Sequence, residues 1–193
     1  MRRAIAGFAF ALASASAGAQ LAVPEAGGRL VAKHNCRACH SIGGEGGAVG
    51  PDLNQVTLRR DTAWLMRWLE NPSVLKPGTL MPAFAWELGE RDAVIAYLRT
   101  FATPVDKTKL LARRGAKAGR ALIEAYQCFA CHKVAEHPGR AIYPDLTNVG
   151  QRRDRAWERR WLAAPEAVIP GTFMPNFGLS SEEIEAIVSY LYP

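Results

Sequence analysis

The feature that most constrains this chain is a five-residue pattern, Cys-x-x-Cys-His, which occurs twice and uses every cysteine. The copies lie at residues 36–40 and 128–132. This pattern is typical of c-type haem attachment, in which both sulfurs bond covalently to the porphyrin and the histidine binds the iron. It therefore predicts two covalently bound haem c groups. The attachment residues are Cys36, Cys39, Cys128 and Cys131, and the iron ligands are His40 and His132.

Other uses of these cysteines fit less well. Zinc ribbons pair two Cys-x-x-Cys knuckles across about 15–20 residues, whereas Cys39 and Cys128 are 89 positions apart. A redox Cys-x-x-Cys expects a βαβ setting, and strand-like alternation is absent around both sites. Structural disulfides remain an alternative in an exported protein, but they leave the histidine after each pair unexplained.

The N-terminus has the features of an export signal. Arg2 and Arg3 precede an apolar stretch at 4–13, and a small-x-small sequence at 17–19 places the mature start near Gln20. An uncleaved anchor is the alternative, but the stretch is shorter than the roughly 18 apolar residues that a spanning helix needs. The sequence thus predicts a signal peptide at 1–19, a periplasmic location and no membrane span in the mature chain.

Most of the remaining chain is an internal repeat. Its spacing is 92 positions up to the second histidine and 93 positions afterwards, with one residue inserted before Pro144. The matched segments are 50–53 with 143–146, Trp64 and Trp68 with Trp157 and Trp161, and 77–84 with 170–177. A repeat at one fixed spacing indicates two copies of one domain. We predict domains at 20–103 and 117–193, joined by a basic linker at 104–116.

The predicted secondary structure is helical. Asp61 and Asp154 are suitable N-caps for the tryptophan-bearing helices, and the residues before Pro72 and Pro165 are expected to end them. A capping box, Ser180 with Glu183, opens the last helix. The fold class is therefore all-α, with each domain wrapped around one haem.

The small size of each unit makes the haem part of its expected core. A unit of fewer than about ninety residues buries only a modest share of its surface. A large apolar porphyrin at the centre supplies surface for side chains to pack on. We therefore expect each unit to fold poorly without haem.

The second axial ligand decides between electron transfer and catalysis at the iron. Met81 and Met174 occupy the same position of the repeat, each between Gly-Thr-x and a proline. Core filling is the ordinary role of methionine, but the repeated, proline-flanked loop favours iron ligation by both. Met66 has Arg159 as its counterpart, which argues against a ligand role there.

Four further features remain open at this stage. His34 is expected to have either a packing role or a role at the haem edge, and His137 is a less favoured ligand in the loop with the inserted residue. The carbonyls of Pro51 and Pro144 are candidates to accept the Nδ1–H of the ligand histidines. The tryptophans are expected to pack in the core, with each indole N–H bonded to a partner such as a haem propionate.

Taken in order, these motifs resemble class I cytochrome c, and their duplication resembles the tandem dihaem cytochromes c of the bacterial periplasm. The Met-Pro-x-Phe segments are also similar to the cytochrome c domain fused to some terminal oxidase subunits. The resemblance implies the ligand pairs His40 with Met81 and His132 with Met174. One departure is Tyr143, which stands where the first unit has Gly50 and makes the second loop's shape less certain.

Charge gives little support for a nucleic-acid partner. The net charge of +6 includes Arg2 and Arg3, so the mature chain carries +4, which the four propionates of two haems would offset. Local basic clusters remain, and they are either solvated surfaces or a docking site for an acidic partner. They comprise Lys107, Lys109, Arg113, Arg114 and Lys117, and Arg152, Arg153, Arg155, Arg159 and Arg160.

The resemblance implies a soluble, non-enzymatic carrier of single electrons. Its expected donor is a dehydrogenase or a membrane quinol-oxidising complex, and its expected acceptor is an oxidase or reductase. One alternative is the cytochrome subunit of a dehydrogenase complex. Another is a haem enzyme, such as a peroxidase or a sulfur-compound dehydrogenase, which would need an open or labile iron.

Overall fold

The computed structural model describes residues 23–135, 137, 139 and 142–193. The predicted signal peptide at 1–19 lies outside these residues. Helices dominate the described chain and confirm the all-α prediction. The described strands form one hairpin with two residues in each strand, β1 Ser41–Ile42 and β2 Glu45–Gly46. Val134 and His137 form an isolated β-bridge.

The helices repeat in the same order in the two units. The first unit contains α1 Val23–Lys33, α2 Val56–Arg59, α3 Thr62–Glu70, α4 Pro72–Leu75 and α5 Glu90–Arg99. A short helix, α6 Lys107–Leu111, lies between the units. The second contains α7 Gly115–Ala125, α8 Arg155–Ala163, α9 Pro165–Val168 and α10 Ser181–Leu191. Short 3₁₀ helices occur at Cys36–Ala38, Cys128–Ala130 and Val149–Gln151. In each unit the first long helix packs against the last.

The helix ends follow the local sequence signals. The Asp61 and Asp154 carboxylates accept hydrogen bonds from the Trp64 and Trp157 amides, each at 2.7 Å. The tryptophan helices α3 and α8 end directly before the residues that precede Pro72 and Pro165, and these prolines begin α4 and α9. The capping box of α10 is formed in full. These predicted caps and stops are confirmed.

Two glycines set the crossing of the terminal helices. A Cβ atom on Gly27 of α1 would lie 2.0 Å from the Ala93 carbonyl oxygen of α5. A Cβ atom on Gly119 of α7 would lie 2.0 Å from the Ala186 carbonyl oxygen of α10. Such distances are far below van der Waals contact, so each crossing requires glycine. The two glycines occupy the same position of the repeat. The sequence analysis did not identify this position as important.

We expect Gly119→Ala to lower the free energy of unfolding of the second unit by about 2–3 kcal/mol, as overpacking of a tight site does. This loss exceeds the gain of about 1 kcal/mol that alanine has over glycine in a helix. Denaturant unfolding of the haem-loaded protein, followed by circular dichroism, measures the change. Lys117→Ala, at an exposed position of the same helix, is the control. A Gly119→Ala protein as stable as this control contradicts the close crossing.

Each unit has its own hydrophobic core. Val31, Ile42, Leu65, Ile95 and Leu98 are among the buried residues of the first core. Leu122, Val134, Leu162, Ile187 and Leu191 are among those of the second. The two clusters have no member in common, which agrees with two copies of one small domain.

The segment predicted as a linker packs against the second unit. Side chains of Val105, Leu110 and Leu111 contact the second core. The Lys107 ammonium lies 3.0 Å from the buried Glu183 carboxylate, which also accepts a hydrogen bond from the Tyr126 hydroxyl at 2.7 Å. Burial tends to raise the pKa of Glu183, but its hydrogen bonds outweigh this effect and hold the pKa below its usual value. The segment is therefore anchored by a buried charge. The predicted domain boundaries themselves stay a prediction.

Candidate haem-binding sites

The two Cys-x-x-Cys-His segments have the same backbone conformation. Asn35 and Gln127, which precede them, adopt left-handed conformations with φ of 51° and 52°, a region that non-glycine residues seldom occupy. The histidine amide then donates to the carbonyl of the first cysteine, at 3.0 Å in both units. This turn carries two cysteines and one histidine within five consecutive residues. All four cysteines are free thiols, which does not support the disulfide alternative.

Both motif histidines are oriented by a proline carbonyl. His40 Nδ1 lies 2.7 Å from the Pro51 oxygen, and His132 Nδ1 lies 2.8 Å from the Pro144 oxygen. A carbonyl can only accept a hydrogen bond, so Nδ1 is the donor in both units, as in the tautomer that binds a metal through Nε2. Burial lowers the pKa of His132 and thereby favours the neutral, ligating form, although the bond to Pro144 acts in the opposite direction. The expected role of both proline carbonyls is confirmed.

The loop before each proline keeps its path despite the Gly50 and Tyr143 difference. The Gly50 amide donates to the Cys39 carbonyl at 2.8 Å, and the Tyr143 amide donates to the Cys131 carbonyl at 3.1 Å. A Cβ atom on Gly50 would lie 2.3 Å from Cε1 of His40. The second unit accommodates a side chain here, with the Tyr143 ring centroid 6.0 Å from that of His132. Tyrosine in place of glycine therefore changes which side chain lies beside the histidine, but the hydrogen bond from this amide to the cysteine carbonyl is kept.

Met81 and Met174 lie in equivalent non-helical loops. Their amides donate to the hydroxyls of Thr79 and Thr172, at 3.3 Å and 3.2 Å. Both methionines are half-buried, and each packs against the core of its own unit. The repeated threonine contacts fix the two loops in the same way.

A tryptophan contacts the sulfur of the first methionine. Trp68 Nε1 donates to Sδ of Met81 at 2.9 Å, and the Trp68 ring stacks on Trp64 with centroids 5.2 Å apart. In the second unit Trp157 and Trp161 stack in the same way, at 5.3 Å. Within the described part of the chain, the Trp161 indole makes no such bond to Met174. The sequence predicted core packing and a partner for the indole N–H. Trp64 packs against the first core and the Trp68 N–H has its partner in Met81, but all four tryptophans of these pairs are half-buried rather than buried.

We expect Trp68→Phe to lower the reduction potential of the first haem. Met81 is the predicted iron ligand, and a hydrogen bond to a ligand sulfur withdraws electron density and so favours the reduced iron. The hydrogen bond contributes about 1 kcal/mol. For a one-electron couple, a tenfold change in the equilibrium constant corresponds to about 59 mV. The reduction potential should therefore fall by no more than about 40 mV. Spectroelectrochemical titration measures it. Trp161→Phe is the matched control, and equal shifts in both variants contradict the prediction.

The remaining histidines pack against aromatic rings. His34 contacts Phe84 and Trp86, with ring centroids 5.0 Å and 4.6 Å apart, as the packing expectation required. Its Nε2 is buried and has no hydrogen-bond partner among the described residues. His137 lies parallel to Phe129 at 4.5 Å, beside the Cys-x-x-Cys-His turn. This contact gives His137 a packing role.

These residues fit covalent haem on the chemistry of their donors. Each unit supplies two free thiols and a carbonyl-bonded imidazole on one turn, and a soft thioether in a braced loop. Burial raises the pKa of the Cys128 thiol to about 12, so in the folded chain this thiol is protonated, and only the thiolate is reactive. Haem attachment is therefore expected before the second unit closes.

The basic clusters are partly engaged within the second unit. Arg159 forms a two-point ion pair with Glu185, at 2.5 Å and 2.9 Å, and Arg155 donates to the Tyr192 carbonyl. Lys107 is held by Glu183 as described above. These partners support the solvated-surface interpretation for the residues that have them, whereas docking of an acidic partner stays a prediction.

Comparisons with known proteins agree with the two-unit architecture. The family model for cytochrome c matches residues 24–102 and 116–192. An 84-residue alignment is 37% identical to cytochrome c oxidase subunit 2 of Alkalihalophilus pseudofirmus (strain ATCC BAA-2126 / JCM 17055 / OF4), covering 38% of this chain and 24% of that protein. The chain thus spans about a quarter of the length of this relative. No solved structure shows a significant match. The chain belongs to the cytochrome c family of haem-binding electron-transfer proteins, and it carries two regions of that family in tandem.

Proposed function

We propose that this protein is a dihaem electron carrier with one histidine and one methionine as iron ligands in each domain. One observation carries the proposal: the same two hydrogen bonds occur in both units. A proline carbonyl orients the motif histidine, and a threonine hydroxyl holds the methionine loop. Both units have the same donor set, so neither is specialised for substrate binding. The ligand pairs are His40 with Met81 and His132 with Met174.

The chain's own residues determine what the cofactor can do. Bound haem supplies reversible one-electron oxidation and reduction of iron. The proline carbonyls hold each imidazole in the tautomer that presents Nε2. Met81 and Met174 would hold the iron together with these histidines, and a thioether ligand in each unit would favour electron transfer over substrate binding. A thioether ligand also raises the reduction potential, which suits delivery of electrons toward a strong oxidant.

We place the carrier in the bacterial periplasm, between a dehydrogenase or quinol-oxidising complex and an oxidase or reductase. The export-type N-terminus supports this location. Among the described residues no helix has the length and apolar character to cross a membrane. The similarity to a cytochrome c oxidase subunit supports an oxidase as acceptor. This step is tested by measuring how fast a purified oxidase that faces the periplasm is reduced when this protein is the sole electron donor.

The ligand assignment is tested by the visible to near-infrared spectrum of the oxidised protein. Methionine ligation to ferric haem produces a charge-transfer band, whose intensity can be quantified per haem. Intensity corresponding to two haems is the expected result. Intensity for one or none means a histidine-bound or open iron, and it would favour the haem-enzyme alternative.

A further inference from the structure

Two arginines of the first unit hydrogen-bond to the second unit. Arg59 donates to the side-chain oxygen of Gln127 at 3.3 Å. Arg60 donates to the backbone carbonyl of Phe173. Two positive charges that belong to the fold of the first unit are therefore held against the surface of the second.

A lysine of the first unit makes a third contact of this kind. The Lys76 ammonium lies 3.1 Å from the Tyr143 hydroxyl and 5.2 Å from the centre of the Phe173 ring. We name Arg59, Arg60 and Lys76 the bridging cations. All three are contributed by one unit and received by the other.

The residues that receive the bridging cations have one property in common. Each directly precedes a residue of the second haem-binding site in the chain. These pairs are Gln127–Cys128, Tyr143–Pro144 and Phe173–Met174. The bridging cations therefore contact the chain next to an attachment cysteine, next to the carbonyl that holds the motif histidine, and next to the predicted methionine ligand.

The two guanidinium groups lie near the sulfurs that would attach the second haem. Burial lowers the pKa of Arg59 and of Arg60, and the charge of the Cys131 sulfur is among the effects that raise both. Burial raises the pKa of the Cys128 thiol, and the Arg59 charge acts in the opposite direction. Because Coulomb interactions weaken with distance, these effects place both charges close to the second attachment site.

Burial strengthens the effect of these charges. Arg59 is only 8% exposed, and Arg60 and Lys76 are half-buried. Arg59 also donates to the Asp52 carbonyl of its own unit, which fixes its position. A charge that is withdrawn from water is screened less and acts more strongly on its surroundings. Protein atoms alone produce this burial.

The matched positions of the second unit provide an internal reference. Arg152 donates to the Asp145 carbonyl of its own unit, and the Arg153 guanidinium lies 4.8 Å from the centre of the Trp157 ring. Among the described residues, neither arginine hydrogen-bonds to the first unit. The counterpart of the lysine is Ile169, which has no charge. At these positions positive charge is therefore contributed across the contact in one direction.

Each unit also has charges of its own near its haem-binding site. Asp52 attracts Arg59, and its counterpart Asp145 occupies the same position of the second unit. The charge of Arg37 acts on the first site at Cys36. The charge that crosses the contact is isolated by removing it while every one of these charges stays in place.

We propose that the bridging cations raise the reduction potential of the haem in the second unit. This inference rests on the proposed binding of two haems, but it needs no particular sixth ligand. Oxidised haem carries one more positive charge than reduced haem, so cations nearby disfavour the oxidised form. The contact between the units thereby makes the two haems unequal even when their ligand pairs are the same.

Arg59→Gln tests the proposal by removing the most deeply buried of the three charges. Haem methyl signals in NMR spectra at successive stages of reduction report the two potentials separately. We expect the one-electron equilibrium of the second haem to change about three- to tenfold toward the oxidised form, a fall of about 30–59 mV. The first haem should change by less than half as much. Equal changes at both haems, or none at the second, overturn the proposal.

The signals are assigned with the Met174→His protein. Met174 packs against the core of the second unit, so the set of haem methyl signals that changes in this variant belongs to the second haem. This assignment holds whether or not Met174 binds the iron, because the substitution lies in that unit.

Arg59→Lys separates the effect of charge from that of packing. It keeps the positive charge and should therefore keep most of the potential of the second haem. A fall as large as that in Arg59→Gln would show that the packing of arginine, rather than its charge, is responsible, and it overturns the proposal. Arg60→Gln is expected to act in the same direction as Arg59→Gln, and it provides the same test at a half-buried position if glutamine at the buried one prevents folding.

Arg152→Gln is the matched control. It removes the counterpart of Arg59 and should leave the potential of the first haem unchanged. A fall at the first haem as large as the one that Arg59→Gln causes at the second overturns the one-way assignment. Intact mass gives the number of haems in each protein. A single haem in the unaltered protein contradicts the proposed function as well, whereas two haems whose potentials are indifferent to Arg59 contradict this inference alone.

Discussion

The double variant Cys128→Ser, Cys131→Ser is expected to lose the second haem and the folded structure of the second unit. A single core of this size supplies only about 3–5 kcal/mol of stability, and a porphyrin in the core contributes a large share of the buried apolar surface. Without covalent attachment only the two proposed ligands, His132 and Met174, would hold the haem. We expect roughly half of the helical circular dichroism to be lost and one haem per molecule to remain by intact mass.

The mirror variant Cys36→Ser, Cys39→Ser is the matched control for this experiment. It should lose the other haem and leave the second unit folded, because the two hydrophobic cores have no residue in common. Hydrogen exchange read out by peptide assigns the loss to one unit in each case. Full protection of α7 and α10 in the Cys128→Ser, Cys131→Ser protein contradicts the view that haem is part of that core.

The sequence predicted the elements whose signals are local. The caps at Asp61, Asp154 and Ser180 were predicted because a side-chain acceptor next to free amides acts within three residues. The ends of α3 and α8 were predicted because proline restricts the residue before it. The histidine–carbonyl bonds were expected from an equivalent proline 11 or 12 positions after each histidine.

Features that depend on the approach of distant segments were not predicted. Gly27 and Gly119 resemble any helix glycine until α5 and α10 are placed across them. The Trp68–Met81 bond joins a helix to a loop whose relative position no local pattern fixes. The β1–β2 hairpin is too short, at two residues per strand, to produce alternation that a sequence could reveal.

The contact between the units was also beyond prediction from the sequence. The repeat shows that the tryptophan pairs and the methionine loops are equivalent in both units. Equivalence in sequence does not determine which of the two methionine loops contacts the other unit. The difference is visible only in the structure, where Phe173 packs on the first unit and Leu80 remains exposed.

Replacing Met174 by histidine is expected to lower the reduction potential of the second haem by a few tenths of a volt, within the range of about 0.8 V that axial ligands control. A thioether is a soft ligand that favours reduced iron, whereas a second imidazole favours oxidised iron. The Met174 amide is bonded to Thr172, so a new side chain at this position is held on the same loop. Spectroelectrochemical titration should then resolve two well-separated one-electron steps.

The near-infrared band distinguishes ligand replacement from general damage. In the Met174→His protein its intensity should fall to that of one haem, and in a Met81→His, Met174→His protein it should vanish. Met66→Leu is the control, because Met66 packs against the first core but lies on α3 rather than in a ligand loop; its band and both potentials should be unchanged. An unaltered band in Met174→His would show that the second iron takes its sixth ligand from another residue, and the symmetrical carrier proposed above would then be wrong for that domain.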